Sequence, residues 1–153
     1  MERLLDIFDK LAACLGQLAD LSHQKTDAVR ADNLLALDEV LKQEQALTLS
    51  IRGLESKNDA LLKELGLKQV PLNALPERYP PELQLKAKQT VDNLHNQYDL
   101  YRSAAEVARN TLECNLHEIE KFLMQQGMDP AAGPGYVSPD LEPPAPMKTD
   151  FRI

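Results

Sequence analysis

The side chains best suited to chemistry in this chain are three histidines, His23, His95 and His117, and two cysteines, Cys14 and Cys114. Cys114 and His117 are three residues apart, so on a helix they would share one face and could approach a metal ion together. A zinc site needs at least three protein ligands, and two do not make one. The sequence therefore predicts no metal site, and two cysteines do not form a disulfide framework.

Signatures of catalysis are also missing from the sequence. It contains no glycine-rich phosphate loop and no recognisable pairing of a nucleophile with a base. Its carboxylates are spread among lysines and arginines, as on a solvated helix surface, whereas an active site needs a pocket of convergent polar groups. We therefore predict that the protein is not an enzyme and holds no cofactor.

The charge and composition limit the class of partner. The formal net charge is −7, whereas nucleic acids and anionic membranes attract clustered Lys and Arg. Tryptophan is absent, and three Phe and four Tyr are too few for a surface that stacks nucleobases. The first residues include acids instead of the basic start of a signal peptide, and no apolar run is long enough to cross a bilayer. The sequence predicts a cytoplasmic protein with reduced thiols that neither binds nucleic acid nor inserts into a membrane.

The positions of proline divide the chain into helical blocks, a connector and a tail. Of the ten prolines, four lie in a connector at 67–81 and six in a tail at 127–153. Proline lacks a backbone N–H and clashes with the preceding helical turn, so the long stretches without it are free to form helices. We predict a helical domain at 1–126, a non-helical connector, and a flexible, disordered tail.

Apolar residues recur at alternating spacings of three and four, which predicts helices at about 2–30, 34–65 and 82–126. From Ala87 to Gln126 twelve positions continue this alternation without a skip, and ten of them are apolar, which implies left-handed coiled-coil packing. The pattern breaks near residues 31–33, where Asp32 or Asn33 could cap a second helix; a single bent helix is the alternative. The predicted fold is all-α, an antiparallel bundle of three long helices.

The second helix has a weaker pattern and a clear end. Gly66 follows its last periodic residue, where a left-handed cap favours glycine, and Leu67 can fold back onto the last turn. The positions expected to face the core are Leu37, Leu41, Leu47, Ile51, Leu54, Leu61 and Leu65.

Unequal helix lengths predict an exposed apolar surface. At 1.5 Å per residue the first two helices are roughly 45 Å long and the third roughly 66 Å, so the third would extend past its partners by about a dozen residues. The extension carries Leu116, Ile119, Phe122, Leu123 and Met124. Together they exceed what a soluble monomer usually leaves in water, which favours a partner-binding face. Two alternatives stay open: the connector shifts the register and covers them, or the protein forms a homodimer.

Three stretches of the sequence together resemble a known protein family. Residues 31–37 are similar to a turn of a small residue, Asp and aliphatic residues, and 42–47 with 61–67 are similar to the course and ending of the family's second helix. Asn93, Asn96 and Asn110 among aliphatic residues of the third helix also fit. These features resemble the FlgN-type flagellar export chaperones over about 1–126, in layout and length more than in invariant motifs.

The resemblance implies a cytoplasmic chaperone of flagellar type III export. Such chaperones bind C-terminal helical segments of the hook–filament junction proteins, prevent their premature assembly and deliver them to the export gate. The family's C-terminal region, including a tyrosine, is implicated in docking to the gate component, and Tyr136 is the only tyrosine of this tail. The client-binding residues implied for this chain are Leu112, Leu116, Ile119, Phe122 and Leu123.

Two other functions fit the same pattern. A structural or self-assembling coiled-coil adaptor would use the apolar stripe for homo-oligomers, although the two predicted loops are unusual for such a scaffold. A chaperone of another secretion system would look nearly identical in sequence. A homodimer of the client-free chaperone is also compatible with the stripe.

Overall fold

The computed structural model describes residues 1–127, which form three long helices: α1 (Glu2–Arg30), α2 (Leu34–Glu64) and α3 (Pro81–Gln125). The described residues contain no strand, and the all-α prediction is confirmed. Each helix begins and ends within one residue of the bounds expected from the sequence. The predicted disordered tail lies, from residue 128 onward, outside the described residues. Within 1–127, no helix is both long and apolar enough to cross a membrane.

Helix α1 is the central element of the bundle. It packs along both α2 and α3, and 14 of its 29 residues are buried. Helix α2, in contrast, has two fully buried residues, Val40 and Ile51. The largest fully buried side chains of α1 belong to Phe8, Leu4, Leu5, Leu11 and Leu18. A helix that contacts both of its neighbours is the expected core of a small bundle, and most of its charged residues lie on the side that faces solvent.

The three helices alternate in direction, as an antiparallel bundle requires. The start of α1 lies beside the start of α3, where the Tyr79 O–H donates to the Met1 carbonyl at 3.4 Å. Farther along, the Gln97 side-chain oxygen lies 3.0 Å from the point that a Cβ on Gly16 would occupy. Helices α1 and α3 therefore run in the same direction, and α2 returns between them in sequence.

The α1–α2 turn settles whether the first two helices are separate. Asp32 takes a left-handed conformation with φ 52°, and the Asn33 N–H donates to the Ala28 carbonyl at 2.9 Å while the Asp32 N–H donates to Val29 at 3.1 Å. The Asn33 side chain then accepts from the Ala36 N–H at 3.1 Å. Asn33 thus completes the Schellman motif that ends α1 and is also the N-cap of α2. The N-cap stabilises the helix by about 1 kcal/mol.

The end of α2 has the cap that glycine predicts. Gly66 has φ 69°, the Leu67 N–H donates to the Leu62 carbonyl at 2.8 Å, and the Gly66 N–H donates to Lys63 at 3.2 Å. Leu67 packs against the core, as expected. The left-handed glycine therefore turns the chain into the connector.

The expectation that the connector is non-helical is wrong. It contains two single-turn 3₁₀ helices, Leu72–Ala74 and Pro76–Arg78. Proline is tolerated at the first position of a helical turn because its missing N–H would have no partner there. The turns bury Leu75 and Tyr79, which close the end of the bundle beside α1.

Two of the residues expected to face the core in α2 are exposed instead. More than a third of the surface of Leu41 and of Leu65 is exposed to solvent, whereas Val40 is buried. The covered positions include Leu37, Val40, Glu44, Leu47, Ile51, Leu54, Asn58 and Leu61, which follow an unbroken alternation of three and four. This stripe is narrow because α2 packs mainly on α1.

Two members of that stripe are polar. Glu44 forms an ion pair with Lys25 of α1 at 2.6 Å, with each side chain less than a fifth exposed. The Asn58 side-chain oxygen is buried and finds no hydrogen-bond partner within residues 1–127. A pattern built from apolar residues alone omits both positions, and this is why the sequence predicted that Leu41 faces the core.

Burial of Tyr79 predicts a loss of stability at alkaline pH. Burial raises the pKa of its phenol from 10 to about 12, so the folded chain holds this proton more tightly than the unfolded chain. The stabilisation is complete below about pH 10 and falls away as the pH rises towards 12, by on the order of 2 kcal/mol. Urea unfolding at a series of alkaline pH values measures this loss. The Tyr79→Phe variant should lose less stability over the same range, and equal losses would contradict the assignment.

Candidate functional site

The end of α3 extends past the α1–α2 turn and carries an apolar stripe. The turn lies level with Leu112 to Ile119, because residues 32–34 and these α3 residues line one cavity. Beyond that level, the exposed fraction is 60% for Phe122 and 68% for Met124. We call Leu116, Ile119 and Phe122 the terminal stripe. Large apolar side chains exposed together on one short segment are typical of an interaction surface.

The residues that the sequence assigned to client binding fall into two groups. Leu116, Ile119 and Phe122 are at least half exposed, whereas Leu112 and Leu123 are partly covered. Leu112 lies at the level of the α1–α2 turn and forms the inner end of the surface. The predicted exposure at the end of α3 is therefore present in the structure, and no contact within residues 1–127 hides it.

A groove joins the terminal stripe to the α1–α2 turn. It has a volume of about 170 Å³, and its apolar walls are Leu34 and Leu37 on one side and Leu112, Leu116 and Ile119 on the other. Asn33 and Asn115 also line it, but almost all of its surface is apolar. We call this cavity the tip groove. The start of α2 above it is apolar and open, with Leu34 77% and Leu35 86% exposed.

Sequence reasoning did not include the turn in the site. The signal was present, since 34–37 is the longest aliphatic run of the chain. Leu34 and Leu35 occupy the first turn of a helix whose N-cap, Asn33, fixes their direction. Exposed leucines immediately after a cap have no packing role there, so they extend the apolar surface of α3.

The face of α3 next to the tip groove has both polar and apolar side chains. A second cavity of about 450 Å³ is lined by Arg30, Asp32, Asn110, Cys114 and Glu118, among others. Cys114 and His117 are both exposed, and within the described residues no three His, Cys, Asp or Glu side chains are placed to hold a metal ion. An exposed ion pair, Arg109 with Glu113 at 3.1 Å, lies one turn away and contributes little to stability.

The tip groove and the terminal stripe offer a partner an apolar surface that is bordered by charged side chains. Glu118, Glu120 and Lys121 are exposed between the apolar side chains of the stripe. Burial of the stripe against a partner would remove apolar surface from water at about 25 cal/mol per Å², while the charges would stay at the rim. Tyr136, assigned by resemblance to docking at the export gate, lies outside the described residues.

The comparisons with known proteins identify one family. The model of the family described as FlgN protein matches residues 1–126 of the chain. No curated protein and no solved structure matches the chain. The matched region spans all three helices, the α1–α2 turn and the end of α3.

Proposed function

The chain belongs to the FlgN family of flagellar export chaperones, which bind hook-associated proteins, and we propose that its client is the C-terminal helical segment of a hook–filament junction protein. The chaperone keeps this segment from assembling early and delivers it to the export gate from the cytoplasm. The observation that carries the proposal is the terminal stripe, exposed beside the tip groove.

The walls of the tip groove favour a helical client. Both walls are α-helical, so they offer no strand edge to an extended peptide. A segment bound there must satisfy its own backbone hydrogen bonds. An amphipathic helix does so and presents an apolar stripe to Leu34 on one wall and Leu116 and Ile119 on the other.

This contact explains both duties of an export chaperone. The apolar stripe that a client helix uses in its final assembly is covered while it packs against α3, so premature assembly is blocked. Release at the export gate requires that the complex come apart, which suits moderate affinity better than a very tight complex. Tyr136 is the residue proposed to contact the gate component, by analogy with the tyrosine of the family's C-terminal region.

Calorimetry with the full chain tests the proposal directly. We titrate the chaperone with synthetic peptides that correspond to the C-terminal helices of the junction proteins encoded in the same genome. A scrambled peptide of equal composition is the control. We expect saturable binding of the native helix and none of the scrambled one. Equal binding of both peptides, or of neither, would overturn the client assignment.

Sedimentation of the chaperone alone separates this function from self-assembly. A coiled-coil scaffold uses the terminal stripe for copies of itself, so its mass rises with concentration and a client helix does not compete. A chaperone forms a low-order complex whose mass increases by that of the client. A client-free homodimer that dissociates as the client binds would also support the chaperone, because both partners then use the same stripe.

A further inference from the structure

The tip groove lies close to the point where the described chain ends. Helix α3 ends at Gln125, and Gly127 follows with φ 71° while its N–H donates to the Met124 carbonyl at 3.1 Å. A left-handed residue in this position ends a helix and turns the chain off the helix axis. The described chain therefore ends beside the terminal stripe.

We propose that the segment around Tyr136 and Val137 occupies the tip groove of its own chain when no client is bound. The occupant is thus a part of this protein outside the described residues, held beside the groove by the end of α3. Exposed leucines and isoleucine lining the groove would otherwise face water, and a tethered apolar segment is the nearest group able to cover them.

The length of the intervening chain matches the distance to be spanned. From Gly127 back to the level of Leu116 the helix rises by roughly 17 Å. A flexible chain of the nine steps that separate Tyr136 from Gly127 has a root-mean-square length of about 15–18 Å. Effective concentration is highest when the linker length equals the span, and it reaches the order of millimolar for a short flexible linker. Phe151, farther along the tail, has a longer tether than the span requires.

The size and chemistry of the groove fit one tyrosine side chain. A cavity of about 150 Å³ accepts a benzene ring, and the tip groove has about 170 Å³. The walls of the groove are almost entirely apolar, so they suit the ring of tyrosine, whose hydroxyl can stay in contact with water at the open side. Between Gly127 and Tyr136 the sequence has one charged residue, Asp129, so little charge is brought towards the apolar walls.

Occupation by the tail links client binding to gate docking, a consequence that rests on the proposed function. A client helix that enters the groove displaces Tyr136 and frees it for the export gate. The empty chaperone then conceals its own docking residue. Because a fraction of the grooves is occupied, the apparent affinity for client is lowered by that fraction.

A spin label on Cys114 tests the contact in the absence of any client. Cys114 is exposed in the cavity that adjoins the tip groove, next to Asn115, which lines both, and a Cys14→Ala background leaves it as the one site of labelling in the full chain. We expect strong paramagnetic broadening of the Tyr136 and Val137 amide signals, with a severalfold reduction in a Tyr136→Ser variant. Circular dichroism verifies that the labelled chains remain helical.

Equal broadening in the labelled parent and the Tyr136→Ser variant would overturn the proposal, because tether length alone would then account for it. Broadening seen only when labelled and isotope-enriched chains are mixed would also overturn it, since the occupant would be a second copy. The client peptide should bind the Tyr136→Ser variant about three- to tenfold more tightly than the parent. If neither chain binds client while the broadening is observed, the tail contact stands and the chaperone proposal fails.

Discussion

Combining Ile119→Glu with Phe122→Glu is expected to weaken binding of the client helix by about a hundredfold or more. Full burial of an apolar side chain of this size contributes about 1.5–3 kcal/mol of transfer free energy. Because both side chains are already about half covered, the contact gains roughly half of that for each, and every 1.4 kcal/mol is tenfold in affinity. Glutamate adds the cost of moving a charge into an apolar contact. Both residues are at least half exposed in the free chain, so its free energy of unfolding should change by less than about 0.5 kcal/mol.

Calorimetry with the client peptide measures the loss, and urea unfolding checks that the variant remains folded. The matched control combines Leu49→Glu with Leu85→Glu, since both leucines are similarly exposed but lie on α2 and at the start of α3, away from the tip groove. This control should bind as the parent does. An Ile119 and Phe122 variant that keeps full affinity would show that the client binds elsewhere.

Phe8→Ala is expected to lower the free energy of unfolding by about 3–5 kcal/mol. Phe8 is 2% exposed and contacts the space between α1, α2 and the connector, which Leu62 and Leu75 also line. Loss of its ring leaves a cavity that three separate segments would have to collapse to fill. Because the total free energy of unfolding of such a domain is about 5–15 kcal/mol, the variant should be close to unfolding.

Phe122→Ala is the matched control for this substitution, because it removes the same ring from a site that is 60% exposed. Urea unfolding followed by circular dichroism should give a much lower midpoint for Phe8→Ala and nearly the parent midpoint for Phe122→Ala. Similar losses for the two variants would contradict the assignment of α1 as the core, and would place stabilising contacts on the end of α3.

The parts of the fold that the sequence predicts well are those with dense apolar periodicity. Helix α1 is recognisable because its leucines and Phe8 repeat without interruption, and the turn at Asp32 and Asn33 is marked by residues whose side chains cap helices. The buried face of α2 is harder to predict from the sequence, because it includes the polar residues Glu44 and Asn58. The position of Glu44 depends on its partner Lys25 on another helix, which no count along one helix can supply.

The candidate site was predictable in part for a similar reason. The length of α3 relative to α1 and α2 follows from where prolines and glycines stop each helix, so the exposed end of α3 can be inferred from the sequence. The involvement of Leu34 and Leu37 depends on the register between α3 and the turn. That register is set by the 3₁₀ turns of the connector and the burial of Leu75 and Tyr79, which proline content alone did not reveal.

The turn between α1 and α2 has a thermodynamic consequence for any ligand of the tip groove. Asp32 and Asn33 hold the first turn of α2 by backbone and side-chain hydrogen bonds on both sides, so the wall carrying Leu34 and Leu37 is in place before a ligand arrives. The conformational entropy of ordering that wall is lost once, during folding, and not again in each binding event. Repeated capture and release of short-lived cargo therefore uses a preorganised receptor whose own ordering adds nothing to the cost of each cycle.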